Sequence, residues 1–184
     1  MSSNQKAAWA QTLSQNQQTV GSPGDHGGLG NLKPETVIET LQQVSNSDSV
    51  TGMTVRIVEL AGNSNDEIRM WAAEALERAI QPSADEISSL IKVLEENEEG
   101  EVRYWAATML GRLGGAAAQA GQALSDCLDK SLHLPARERS AWALCQIGEA
   151  AAVAKDSLSK AAEDAPPRLK RLATEALKRI GEAA

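Results

Sequence analysis

Aromatic side chains are scarce in this chain: they make up 3% of its 184 residues, with no Phe, one Tyr and four Trp. A core must then be filled mostly by Ala, Leu and Ile. Alanine-rich helices can do this, because close helix approach replaces side-chain bulk. Histidine and cysteine are almost missing, with two of each. Cys127 and Cys145 fall on successive helices without metal-type spacing, and a zinc site would need a different pattern. His133 has no carboxylate beside it in sequence, and His26, next to Asp25, lies in a Gly- and Ser-rich stretch expected to be flexible, so no ordered acid–base pair stands out. The sequence therefore assigns no catalytic residue, no cofactor site and no metal site. No apolar run approaches the roughly 20 residues that cross a bilayer, so no membrane partner is indicated. Residues 1–6 lack the apolar core of a signal peptide, and the expected compartment is cytoplasmic.

Positive charge is also missing where a nucleic-acid binder would need it. The net charge is −7, and it is unevenly placed. Residues 34–100 carry fourteen acidic and four basic side chains, whereas residues 101–184 carry ten and twelve. An acidic first half argues against nucleic acid as a partner, which requires a basic footprint.

What the chain does have is a repeat. Over residues 101–114, Val102, Ala106, Met109, Leu110 and Leu113 fall on one stripe at helical spacing. Gly114 supplies a permissive helix end. Arg103 has counterparts at Arg69, Arg137 and Lys170, at offsets of 34, 34 and 33 residues. Leu110 likewise matches Leu76, Leu144 and Leu177. The closing glycine returns as Gly148 and Gly181 but not in the copy that contains Arg78 and Ile80. Between these copies Leu90, Leu124 and Leu158 repeat at the same interval. The unit is helix, turn, helix. One such pair cannot bury its own apolar face, so neighbours must stack.

A period of 34 also suits tetratricopeptide repeats, but their aromatic positions are absent, as is the ankyrin Thr-Pro-Leu-His signature. The pattern Val102-Arg103, Ala106-Ala107, Leu110-Gly111, Leu113-Gly114, with alanine-rich lead-ins after Gly114 and Gly148, resembles the short HEAT-like repeats named after phycobilisome lyases. The resemblance implies an all-α, right-handed α-solenoid of about four and a half helix pairs. Residues 32–184 form the repeat domain. Residues 1–31, rich in Gln, Ser and Gly, are expected to be a flexible tail; Ala7, Ala8, Trp9 and Leu13 could make one short helix that docks on the solenoid. Ser64 with Glu67, and Ser83 with Glu86, read as capping boxes. The last unit is a single helix, whose Leu169, Leu172, Ala176 and Ile180 must face the preceding repeat or a second chain.

The resemblance implies a non-enzymatic scaffold that presents a helical surface to another protein, with a basic segment matching the acidic first half. Two alternatives accompany it. One is a bilin lyase-type accessory protein, which the family suggests although no nucleophile is evident. The other is self-assembly into a homo-oligomer, acidic end to basic end. The candidate partner-binding residues are Trp71, Trp105, Tyr104, Arg139 and Trp142. Trp71 and Trp105 lie about 80° from the centre of the apolar stripe, at its flank. Trp142 lies about 140° away and is expected to face outward. Arg69, Arg103, Arg137 and Lys170 form a row expected to make ion pairs between neighbouring repeats. Glu95, Glu96, Glu98, Glu99 and Glu101 crowd one turn and are expected to be solvated. Cys127 should fill space in the core, and Cys145 is expected at the surface.

Overall fold

A computed structural model of the chain describes residues 33–181. The tail assigned to residues 1–31, and the short helix around Trp9, lie outside the described residues. Among the described residues there are nine α-helices: α1 (Pro34–Ser45), α2 (Thr54–Leu60), α3 (Asp66–Arg78), α4 (Ile87–Glu96), α5 (Gly100–Leu113), α6 (Gly121–Lys130), α7 (Leu134–Ile147), α8 (Lys155–Asp164) and α9 (Pro167–Gly181). They stack as two rows. The odd-numbered helices make the first row, in which α1 packs on α3, α5 on α7 and α7 on α9. The even-numbered helices make the second, and each lies against the odd helix that follows it. The first helix and four pairs result, in an all-α solenoid.

The stripe explains the stack. Ala72 and Leu76 on α3, Ala106 and Leu110 on α5, Ala141 and Leu144 on α7, and Ala173 and Ala176 on α9 are all fully buried. Each buried Leu contributes roughly 1.5–3 kcal/mol relative to exposure. The alanines let the rows close up. On α9 the apolar stripe is covered within this one chain: Leu169, Ala176 and Ile180 are buried and Leu172 half-buried. Its outward side chains, including Arg171, Glu175 and Arg179, are exposed.

Helix ends are finished by a small set of devices. Gly114 and Gly148 end α5 and α7 at φ of 55° and 73°, a region that costs glycine little and other residues much. Each opens a 3₁₀ segment (Gly114–Ala120, Gly148–Ala154) that leads into the next pair. The α3 copy lacks this glycine, and its last carbonyls are taken by a neighbour instead. Arg112 on α5 donates from Nη1 to the Leu76 carbonyl (2.6 Å) and the Ile80 carbonyl (3.3 Å), and from Nη2 to the Glu77 carbonyl (3.4 Å). These are the acceptors a helix leaves open at its C-terminus. Arg112→Met should cost roughly 1–3 kcal/mol in urea unfolding, by stripping partners from several carbonyls at once. A loss below the error of the measurement would mean that water replaces the guanidinium freely.

Several sequence expectations are corrected here. The row Arg69, Arg103, Arg137 and Lys170 does not form ion pairs between repeats. Arg69 donates to the Asn63 carbonyl (2.8 Å), Arg103 to Asn97 (2.5 Å), Arg137 to Leu128 (2.7 Å) and Lys170 to Glu163. Each cation thus caps the C-terminal end of the preceding second-row helix, where the helix dipole favours positive charge. The cap of α3 is Asn65, not Ser64; its Oδ1 accepts from the Glu67 and Ile68 amides. The Ser83–Glu86 box is present. Glu86 does more than close it, since its carboxylate also accepts from the Thr54 amide (2.9 Å) and hydroxyl (2.7 Å) at the start of α2. Ahead of α2, where the residue pattern continues the helical stripe of Met53, Ile57 and Leu60 back to Val50, the chain is instead extended, and Val50 pairs with Ile80 as an isolated β-bridge. Cys145 is buried, as is Cys127. Burial pushes both thiols above their ordinary pKa, so neither is primed as a nucleophile.

Candidate functional site

The first row is not evenly spaced. α5 and α7 pack closely, whereas α3 and α5 are joined at their C-terminal ends through Arg112 and leave a gap at their N-terminal ends. The α2–α3 loop fills part of that gap: a Cβ on Gly62 would stand 2.6 Å from Val102 Cγ2 of α5. Beyond the loop the helices splay around a cleft of about 690 Å³. Trp105 lines it from α5; Arg69, Met70 and Ala73 line it from α3. Asp66, Glu99 and Glu101 bring three carboxylates to its rim.

Trp105 is 6% exposed, and its indole Nε1–H is buried with no acceptor. Asp66 is engaged by the Arg69 guanidinium. Glu99 and Glu101, by contrast, make no ion pair among the described residues. Both are exposed, at the first turn of α5. Met70 is 56% exposed at the edge of the cleft. The arrangement therefore offers an aromatic wall and two uncommitted carboxylates.

The other flank of α5 carries a different site. Tyr104 sits beside Trp105 in sequence, with its ring edge-on to the indole (centroids 5.1 Å apart, 89° between planes). Arg139 of α7 places its guanidinium carbon 4.9 Å from the Tyr104 ring centre and 5.4 Å from that of Trp142. It also donates to the Tyr104 hydroxyl at 2.8 Å. With Arg168, Arg171 and Leu172 of α9 these side chains line a groove of about 370 Å³.

Comparison with known proteins follows the same architecture. The family model for HEAT repeats matches residues 53–145, from just before α2 to the last turn of α7. The chain belongs to the HEAT-repeat family. No curated protein matches its sequence. Among solved structures, a designed armadillo repeat protein in complex with the peptide (KR)4 is similar at 17% identity and a TM-score of 0.58, covering 83% of this chain and 79% of that one. An engineered protein is similar at 18% identity and a TM-score of 0.57, covering 88% and 78%. A second designed armadillo repeat protein, at 16% identity and a TM-score of 0.54, covers 83% and 79%. Identities this low speak to the fold alone. A stacked-helix fold of this kind is an interaction scaffold in general terms.

The HEAT-repeat stack gathers Tyr104, Arg139 and Trp142 into one groove and puts Trp105 in the cleft on the opposite flank of α5. Trp71 joins neither. It is half-buried against the core, and its Nε1–H is also without an acceptor. Trp142 does not face outward as its angle suggests. It is half-buried and lies over Gly111 of α5, where an added Cβ would be 2.4 Å from its Cζ3. In a row of helices each one is covered on its flanks as well as its core side, and a single-helix wheel omits that. His133 is also used for packing, its ring resting on Gly100. Among the described residues no group of three or more His, Cys, Asp or Glu is placed to hold a metal ion, and no helix is long and apolar enough to cross a membrane. Glu99 and Arg171 were not singled out as binding residues from sequence, although the acidic run was visible.

Proposed function

We propose that this HEAT-repeat chain is a non-enzymatic scaffold that holds a basic, extended segment of a partner protein in the cleft between α3 and α5. The observation that carries the reading is the pair of unpaired carboxylates, Glu99 and Glu101, around the Trp105 wall. A Lys or Arg side chain entering there meets carboxylates that strengthen its hydrogen bonds and an indole that attracts cations. Support also comes from a protein of similar fold that is seen with the alternating basic peptide (KR)4.

The test is a titration of the chain with a labelled (KR)4 peptide and with its acidic counterpart. Replacing Glu99 and Glu101 together by Lys should weaken the basic peptide by about tenfold or more, mostly at low salt. Equal affinity in the double variant, or no binding of the basic peptide by the native chain, would remove the proposal.

A further inference from the structure

The groove on the other flank of α5 has the opposite character. In a chain of net charge −7, it is lined by three guanidiniums, those of Arg139, Arg168 and Arg171, and by one carboxylate, Glu138. That carboxylate is already taken, by Arg168 at 3.2 Å. Arg139 is half-buried and held only by Tyr104 and Trp142, without any carboxylate among the described residues. Arg171 is exposed and has no hydrogen bond or ion pair there. Burying a guanidinium without a counter-charge is unfavourable unless a ligand supplies one.

We infer that this groove is a second docking site, which receives an extended acidic segment of a partner protein with a side-chain carboxylate held by Arg139 and Arg171. Planar guanidiniums match a carboxylate in two-point geometry. The walls explain why the occupant is a peptide and not a free anion. Tyr104, Trp142 and Leu172 give apolar surface next to the cations. The groove also spans three first-row helices, α5, α7 and α9, so it runs along the stack as an extended chain would. Arg112 lies close enough to feel the same imbalance. Its guanidinium is held below its ordinary pKa mainly by burial; Arg139 adds to the shift and Glu77 opposes it.

The experiment uses the full chain and a fluorescein-labelled alternating Glu–Leu octapeptide, followed by anisotropy at low and high salt, with the matching Lys–Leu peptide as control. The acidic peptide should bind, and Arg171→Ala and Arg139→Gln should each weaken it by about tenfold. Glu99→Lys with Glu101→Lys should leave that binding in place, which separates this site from the α3–α5 cleft. Arg171 is exposed, so its variant tests the site even if the Arg139 variant folds poorly. Failure of the acidic peptide to bind, or unchanged affinity in Arg171→Ala, would overturn the inference. So would full displacement by millimolar inorganic phosphate, which would make this a simple anion site. Concentration-dependent self-association of the unliganded chain, lost in Arg171→Ala, would reassign the groove to a second copy and equally overturn it.

Discussion

Trp105→Ala is expected to destabilise the protein by roughly 3–5 kcal/mol, the range for truncating a large buried aromatic. The ring is almost fully buried, stands edge-on to Tyr104, and lies on the α3 side of α5, beside the cleft between the two helices. Removing it leaves a cavity beside a cleft already open to solvent. No other side chain loses a hydrogen bond, because the indole N–H has no acceptor. Trp105→Phe should therefore cost much less than the alanine change. It keeps most of the apolar volume and removes an unsatisfied donor. Urea denaturation of the two variants separates volume from hydrogen bonding. A loss under about 1 kcal/mol for Trp105→Ala would show that α3 and α5 can collapse together and that the ring does not hold them apart.

Gly111→Val should also be severe, at about 3 kcal/mol or more, the upper end for overpacking a tight contact. Here α5 and α7 approach so closely that a Cβ at residue 111 would lie 2.4 Å from Trp142 Cζ3 and 3.0 Å from the Ala143 Cα. The first neighbour is a ring that can shift, but the second is backbone. Gly111→Ala is milder, because the better helix propensity of Ala returns up to about 1 kcal/mol. Pairing Gly111→Ala with Trp142→Leu should recover part of the loss, since the two residues share one contact. Purely additive effects in thermal melts would mean that Trp142 does not lie over that glycine.

These two contacts mark where the sequence was legible and where it was not. The period of 34, the Leu76, Leu110 and Leu144 series and the closing glycines state the stack plainly, because repetition exposes what each unit must share. The Ser83–Glu86 box follows from local chemistry. Trp142 could not be placed correctly, because its environment is made by α5, more than thirty residues upstream. The role of Arg112 was hidden for the same reason: it completes α3, a helix that lacks its own terminal glycine. The row from Arg69 to Lys170 suggests ion pairs because side-chain charge is visible in sequence, whereas open backbone carbonyls are not. The Glu99 and Glu101 carboxylates are visible as an acidic run, and Glu101 shares a helix face with Trp105 at i, i+4, but nothing local shows that α3 leaves a cleft beside them.

The indole N–H of Trp105 gives the most direct test of the proposed scaffold function. Four Trp residues give four indole resonances in a ¹⁵N-correlated spectrum, and Trp105→Phe identifies the one in the cleft. On titration with the (KR)4 peptide, the Trp105 resonance should shift most and the Trp142 resonance should stay nearly fixed. A Trp105 signal that does not move while the peptide binds elsewhere would contradict the cleft as the site where a basic partner is held.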